Sequence, residues 1–383
     1  MGKLRFLTAL WGAKCARLAL RMLRRNATYF PGKLALKICP DFIRRAEKPK
    51  RIVAVTGTNG KTTVCNMLAD ILEKSGQRVL SNRMGSNINA GIAATLALGC
   101  TVTGKTRHDI AVFEVDERSS RRIYPYLTPD YLAVTNLFRD SFMRNAHPEY
   151  IAGMISDYVP AATKMILNAD DLMSAGIAPE NDRVYYGIGP MAGDVTECVN
   201  LINDMRICPK CGGKLIYDYR RYHHIGHARC ADCGFASPEC DYLGGDVDTE
   251  KMTMTITDST GCFTYHLMSD STFNIYNTVT VVTVLRELGL APGTIARGLR
   301  DCGIVETRYN VRTAGGIRVV MQMSKDKNAL ANSRVFDYVS GLPGSKQIIM
   351  MQNCKEDAQH GSENVSWMFD CDFEFLNRDT IKR

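Results

Sequence analysis

Residues Ala54–Thr63 read A-V-T-G-T-N-G-K-T-T and continue the unbroken apolar run Ile52–Val55. A strand apolar at every position is buried on both faces, which requires a parallel sheet covered by helices. Beyond the glycines, Val64, Met67, Leu68, Ile71 and Leu72 recur at helical spacing, and Gly76 suits a helix C-cap. Strand, glycine turn and helix in that order make a phosphate-binding loop. Backbone N–H groups and the helix N-terminus hold phosphate oxygens, Lys61 adds a mobile positive charge, and Thr62 offers a hydroxyl to Mg²⁺. Gly57, Thr58, Asn59, Gly60 and Thr63 complete the segment expected to hold the triphosphate of ATP. One position departs from G-x-x-x-x-G-K-[ST]: Val55 stands five residues before Gly60, and the first glycine is Gly57.

The other 373 or so residues constrain the chain less sharply, though length alone implies two or three domains in a chain of 383. Charge is uneven. Residues 1–50 hold thirteen of the 48 Lys and Arg but two of the 40 Asp and Glu, a net +11, so the rest carries −3 of the overall +8. The bulk of the chain is therefore no nucleic-acid surface, and anionic partners are met mainly by the N-terminus. There Leu4, Leu7, Leu10, Trp11, Leu18 and Leu20, with Arg17, Arg21, Arg24 and Arg25, read as a basic amphipathic helix. It either packs on the body with a solvated basic face or meets an anionic membrane surface or a phosphate-bearing lipid. Phe6–Ala13 after Lys3 and Arg5 resembles a signal-peptide start, but Lys14 and Arg17 interrupt it, and no stretch has the length of a transmembrane helix. Gly2 is followed by Phe6 at the sixth position, which does not fit a myristoylation signal.

Fourteen cysteines in a chain this long fit a reducing cytosol better than a disulfide framework, because Cys65, Cys100 and Cys302 sit in apolar contexts. Four more form two knuckles, Cys208-Pro-Lys-Cys211-Gly-Gly and Cys230-Ala-Asp-Cys233-Gly, eighteen residues apart. Two such turns present four thiolates to Zn²⁺ as a zinc ribbon, and four thiolates close the coordination sphere, so the ion is expected to be structural. His223, His224 and His227 lie between the knuckles and could replace a cysteine, but read more readily as ordinary loop histidines.

Strands are predicted at Arg51–Val55, Ile110–Val115, Tyr131–Thr135, Lys164–Leu167 and Arg183–Tyr186, with helices between them, hence a parallel sheet in an α/β domain. Three of these strands end in polar clusters: Glu114, Asp116 and Glu117; Asn136, Arg139 and Asp140; Asn168 and Asp170. Such ends face the ligand in a parallel sheet, and one carboxylate of the first cluster is expected on Mg²⁺; spacing alone does not select which. Phe273–Leu288 reads as a helix, and Ile317–Met323 and Gln347–Met351 read as strands of a further α/β domain.

The motifs V-T-G-T-N-G-K-T-T, F-E-V-D-E-R-S-S, T-N-L-F-R-D, L-N-A-D-D and F-N-I-Y-N together resemble those of the Mur ligases, which couple ATP to amide-bond formation on peptidoglycan precursors. The four-cysteine insertion, P-G-K-L-A-L-K at 31–37 and V-S-W-M-F-D-C-D-F-E at 365–374 are similar to the branch of that family that amidates lipid II. The resemblance implies a central ATP-binding ligase domain at 51–312 with a zinc-ribbon insertion at about 198–245. A basic segment at 1–50 precedes it, and a Rossmann-like C-terminal α/β domain opens at 313–383 and is expected to be incomplete. It implies that ATP phosphorylates the α-carboxylate of the stem-peptide D-glutamate and that ammonia displaces the phosphate. The ammonia would come from a GatD-type glutamine amidotransferase, and the work would be done in the cytoplasm or at the inner face of the membrane. By motif position Lys61 and Thr62 serve the phosphates and Mg²⁺, Glu117 is the second Mg²⁺ ligand, and Asn168, Asp170, Asn274 and Asn277 lie near adenine or triphosphate. Arg308 is the part of the family's G-R-x-E-like turn that carries over, within Glu306-Thr307-Arg308-Tyr309-Asn310, and Ser324–Ala331 lacks the Pro and Gly of the family's K-N-P-x-G-like loop. Asp370, or failing it Asp372, is expected to complete the partner's Cys-His pair by orienting its His. Two other readings compete: a Mur ligase that adds an amino acid, and a degenerate nucleotide-binding scaffold.

Overall fold

The structure, a computed structural model, describes residues 2–83, 85–139, 147–302, 309–322, 324, 328–351 and 365–382. In chain order the elements are α1 (Gly2–Met22), α2 (Phe30–Ile38), α3 (Phe42–Arg45), β1 (Arg51–Thr56), α4 (Lys61–Lys74), β2 (Val79–Ser81), α5 (Asn89–Gly99) and β3 (Ile110–Glu114). Then come α6 (Ser120–Ile123), β4 (Tyr131–Val134), α7 (Pro148–Tyr158), β5 (Lys164–Asn168), α8 (Leu172–Ala175), β6 (Arg183–Ile188), β7 (Leu215–Tyr222) and β8 (Ile225–Cys230). The remainder are β9 (Tyr242–Asp248), β10 (Thr253–Asp258), β11 (Gly261–His266), α9 (Thr272–Glu287), α10 (Pro292–Arg300), β12 (Tyr309–Ala314), β13 (Ile317–Gln322) and α11 (Ala329–Gly341). Contacts divide the chain into two compact units: 1–137 with 149–192 and 237–303, and 138–148 with 193–236 and 304–383.

The first unit is built on a nine-stranded sheet in the order β11-β10-β9-β6-β5-β4-β1-β3-β2. Every pairing from β2 to β9 is parallel, and β10 and β11 add an antiparallel edge. The five predicted strands are β1, β3, β4, β5 and β6, displaced by at most two residues at their ends. β1 lies between β3 and β4, with Val53 opposite Val112 and Tyr131, and is buried from Ile52 to Thr56. That burial is the physical counterpart of its unbroken apolar run. The helix predicted at Phe273–Leu288 is α9, buried on all sides from Ile275 to Leu285, and it packs with α4 and α10 against the sheet.

α1, α2 and α3 are part of the same unit and pack around α5, which lies against β2. α1 is the helix predicted for the N-terminus, but its apolar residues divide differently. Phe6, Ala9, Leu10 and Ala13 face inward, with the Phe6 ring stacked on Phe42 at 5.2 Å, whereas Leu4, Trp11 and Leu18 are exposed.

In the second unit β7 and β8 form an antiparallel hairpin, as do β12 and β13. Phe138 lies against the rings of Tyr222 and His224, and the Arg334 guanidinium sits 4.4 Å from the Phe138 ring and 4.3 Å from Tyr222. α11 starts at Asn328, whose buried side chain accepts from the Ala331 amide at 2.9 Å and donates to the Arg139 carbonyl. Such a cap is worth about 1 kcal/mol. Ile317–Met323 is β13 over residues 317–322, which among the described residues forms a two-stranded sheet with β12. The strand predicted at Gln347–Met351 is not formed: the stretch has no regular structure, and Ile349 and Met351 are largely exposed. With no neighbouring strand among the described residues to take its amides, the apolar run of four residues after Gln347 has no described ladder to join.

Candidate functional site

β1 ends at Thr56 and α4 begins at Lys61, so four residues turn the chain at the C-terminal edge of the sheet. The turn depends on glycine at two places. Gly57 and Gly60 have φ of 125° and 87°, and a Cβ at either would lie 2.2 Å from Thr135 Oγ1 or Asn277 Oδ1 respectively. The Thr58 amide donates to the Asn136 carbonyl at 2.8 Å, the Asn59 amide to Asn136 Oδ1 at 3.1 Å, and Thr135 Oγ1 to the Asn59 carbonyl at 2.6 Å. The end of β4 therefore holds the outer part of the loop. The first amides of α4 have no acceptor within the helix and lie at its positive end, where an anion is stabilised.

Lys61 is buried, and its Nζ donates to Glu117 Oε1 at 2.7 Å and to the Gly57 carbonyl. The same Glu117 oxygen accepts from the Gly57 amide at 3.2 Å. Burial alone would lower the Lys61 pKa, but the charge and hydrogen bond of Glu117, with Glu114 and Asp116 behind it, hold it above the ordinary lysine value. The ammonium is thus retained inside the protein. Thr62 and Thr63 are half-buried in the first turn of α4. The Thr62 hydroxyl and the Glu117 carboxylate are hard oxygen donors, the set a small divalent cation such as Mg²⁺ requires, so these residues fit one.

The remaining predicted residues fall into two groups. Asn277 reaches the loop directly, packed on Gly60, and donates to Asn274 Oδ1 at 3.1 Å. Asn168 and Asp170 are buried in a layer beneath. Asn168 donates to the Thr135 carbonyl at 3.3 Å and accepts from the Asp170 amide; Asp170 accepts from the Ile188 amide at 2.9 Å and the Tyr276 hydroxyl at 2.6 Å. These two support the strand ends that carry the loop. Arg308 and Asp140 lie outside the described residues. Thr135 and the backbone of Asn136 were not among the predicted loop contacts; the polar T-N pair ending a buried strand was their signal.

The second unit holds a separate cluster. The sulfurs of Cys208, Cys211, Cys230 and Cys233 all lie within 4.8 Å of one another. Cys208 Sγ to Cys233 Sγ is 3.6 Å and Cys211 Sγ to Cys230 Sγ is 3.5 Å. Four sulfurs at about 2.3 Å from a central ion would be separated by about 3.8 Å, so the spacing fits a closed tetrahedral set. The amides of Lys210, Gly213 and Asp232 each donate to a cluster sulfur at 3.4 Å. The Asp232 amide leads in drawing the Cys230 thiol down to about 7. Among the described residues no histidine joins the set: His227 Nδ1 pairs with Asp218 at 2.9 Å, and His223 Nδ1 lies 3.2 Å from the Ile202 carbonyl.

The two acids of the 365–374 motif differ. Asp372 is buried and accepts from the Leu201 amide at 2.5 Å and Asn200 Nδ2 at 3.0 Å, with its own amide on Ser333 Oγ. Asp370 is half-exposed beside Phe369, which is 83% exposed.

Residues 55–197 match the Mur ligase middle domain. The chain is 32% identical to the MurT subunit of the glutamine-hydrolysing lipid II isoglutaminyl synthase of Staphylococcus aureus strain COL, over 98% of this chain and 83% of that one. The chain belongs to the MurT family of Mur ligases. The Streptococcus pneumoniae R6 MurT is 29% identical over 95% of this chain and 80% of that one. Among solved structures, a pseudomurein peptide ligase type C from Methanothermus fervidus matches with a TM-score of 0.60 and 24% identity, covering 77% of this chain. MurF from Acinetobacter baumannii matches with a TM-score of 0.58 and 16% identity, covering 82%. The chain spans 59% of the length of each of these two. They share with this MurT family member a Mur-ligase-like α/β fold with a large mixed central sheet.

Proposed function

We propose that the chain is the ATP-using subunit of an enzyme that converts the D-glutamate α-carboxylate of the lipid II stem peptide to the amide of D-isoglutamine. The observation that carries this is the likeness to MurT over 98% of the chain, in a molecule whose loop and cysteine cluster are both assembled. A carboxylate oxygen attacks the γ-phosphorus of ATP, the bond to ADP breaks, and an acyl phosphate forms. Ammonia then attacks the carbonyl carbon, phosphate departs with that oxygen, and the proton lost by nitrogen goes to solvent. Ammonia comes from glutamine hydrolysed by a GatD-type partner.

In this reaction the chain mostly positions groups and neutralises charge. Gly57–Thr63 wrap the triphosphate, and Lys61 exchanges Glu117 and the Gly57 carbonyl for phosphate oxygens. Glu117, released from that pair, and Thr62 hold Mg²⁺, which when bound offsets the charge developing on the phosphates. Asn277 and Asn274 border the triphosphate, Asn168 and Asp170 keep the strand ends in place, and Arg308 is assigned to the nucleotide by its motif position alone. Cys208, Cys211, Cys230 and Cys233 bind a structural Zn²⁺. In domain terms 51–312 is the ligase core with its insertion at 198–245, and β13 followed by α11 opens a Rossmann-like C-terminal domain. Asp370 serves the partner's His, since Asp372 is committed to Leu201 and Asn200. The lipid-linked acceptor brings the chain to the inner face of the membrane; no helix among the described residues is long and apolar enough to cross it.

The test combines purified chain, a GatD-type glutaminase, ATP, Mg²⁺ and lipid II, with glutamine labelled at its amide nitrogen. Label in the lipid II amide, dependent on ATP and on both proteins, is expected. Nucleotide binding without lipid-dependent turnover would favour the scaffold reading, and turnover requiring a free amino acid in place of ammonia would favour an amino-acid-adding ligase.

A further inference from the structure

α1 has two apolar faces, and the inner one leaves Leu4, Trp11, Leu18 and Met22 uncovered. Leu4, Trp11, Leu18 and Met22 recur at intervals of seven, seven and four residues, which aligns them within about 40° on a helix of 3.6 residues per turn. The buried residues Phe6, Ala9, Leu10 and Ala13 lie on the opposite side. The four outward residues are between 50% and 75% exposed. The row is extended by Val102, exposed and fixed beside it by a 2.8 Å hydrogen bond from Trp11 Nε1 to the Val102 carbonyl, and at the helix end by exposed Leu23. A soluble surface seldom carries so long a continuous apolar row without a partner.

Charge identifies the partner. Lys3, Arg21, Arg24 and Arg25 are exposed on α1 and just beyond its end, and Lys33 and Lys37 are exposed on the adjoining α2, within a segment of net +11. Of the two acids in that segment, Asp41 is engaged by Arg45 at 2.7 Å. An apolar stripe with an indole among its residues, flanked by unneutralised cations, is complementary to an anionic bilayer, whose headgroups attract Lys and Arg while the stripe enters the acyl boundary. We propose that the outward face of α1, centred on Trp11 and Leu18, docks this chain in-plane on an anionic membrane surface. The inner face stays packed around α2 and α5 throughout, so docking requires no unfolding. The purpose of the docking rests on the amidation reading, because it brings the phosphate loop's unit to the lipid that carries the acceptor; its physics does not.

The test is cosedimentation of the full chain with vesicles of phosphatidylcholine alone or mixed equally with phosphatidylglycerol, without nucleotide or lipid II. The chain should sediment with the anionic vesicles and not with the neutral ones, and high salt should release it. Trp11→Asp/Leu18→Asp should lower the bound fraction at least tenfold with an unchanged melting temperature, and Arg21→Glu/Arg24→Glu/Arg25→Glu should lower it with the apolar row intact. Leu4→Ser/Met22→Ser, a milder change, covers the case in which the double aspartate fails to fold, and it too should weaken binding. The proposal is overturned if the chain ignores anionic vesicles or if the folded variants bind as the parent does. It is equally overturned if the chain is a dimer that Trp11→Asp/Leu18→Asp converts to monomers while no form binds vesicles, which would make the face a contact between copies. Vesicles free of lipid II keep the two readings separate: failed docking leaves amidation standing, and failed amidation leaves the docking result as measured.

Discussion

The phosphate loop and the cysteine cluster are both announced by short motifs, yet they are built in opposite ways. The loop is assembled from distant parts of the first unit: β1 and α4 supply it, β4 holds its outer amides through Asn136, Glu117 clasps its lysine and Asn277 closes on Gly60. It stands on a buried parallel sheet. The cluster is local. Two knuckles on either side of the β7–β8 hairpin bring four sulfurs together, with backbone amides as their described donors. Four thiolates converging without a cation would repel one another, so on the proposed reading this part of the second unit would depend on a bound ion for stability.

The largest expected effect follows from that contrast. Cys208→Ser, or removal of metal by a chelator, should unfold the second unit, since structural zinc in small modules contributes about 10 kcal/mol or more. The first unit should still bind nucleotide. Metal analysis with limited proteolysis checks both halves; intact folding of metal-free protein would remove the contrast.

Next in size is Lys61→Ala, which should lower turnover about a thousandfold. It also leaves Glu117 buried without its cation, at a cost of about 3–5 kcal/mol in the nucleotide-free protein. Lys61→Ala/Glu117→Ala should recover much of that stability and none of the turnover. Comparing melting temperatures with steady-state rates separates the two roles.

Asp372 and Asp370 give a smaller, sharper pair. Asp372→Ala strands the Leu201 amide and Asn200, and should cost about 2–3 kcal/mol of stability. Asp370→Ala should leave melting unchanged and lower glutaminase activity in the complex with the partner. Equal effects of the two on stability would contradict their assignment.

The smallest effect, read between neutral pH and pH about 5, concerns pH. Burial first, and then the Arg334 charge, hold His223 down at about 3, against about 6.5 for an exposed imidazole. Between these values the unfolded chain takes up a proton that the folded chain refuses. The second unit should therefore lose stability as pH falls from about 6.5 towards 3, by at most about 1.4 kcal/mol per pH unit. His223→Asn should show a shallower slope in thermal melts between neutral pH and pH about 5; an identical slope would assign the dependence to other groups.

What could be read beforehand follows the same division between local and distant. The strands of the first unit were legible because burial on both faces leaves continuous apolar runs, and the loop because glycines and Lys-Thr sit next to each other. The cluster was legible because its ligands come in pairs two residues apart. Spacing placed Glu117 near the loop without choosing it over Glu114 or Asp116; the resemblance to the Mur ligases singled it out, and in the structure it is the carboxylate that reaches Lys61. Thr135 was hidden because its role is a hydrogen bond across 76 residues. Leu4, Trp11 and Leu18 were grouped with Leu10, since a helix apolar on two sides does not reveal which side faces inward. Gln347–Met351 has the composition of a strand and no neighbour to pair with among the described residues, which composition alone does not record.

The central claim is that the Lys61 loop uses ATP to phosphorylate a carboxylate. Heavy oxygen placed in the lipid II α-carboxylate tests it most directly, in the complete reaction with the partner glutaminase. One labelled oxygen should appear in the released phosphate for each amide formed. Amide formed with unlabelled phosphate would contradict an acyl phosphate, and with it the role given to the loop.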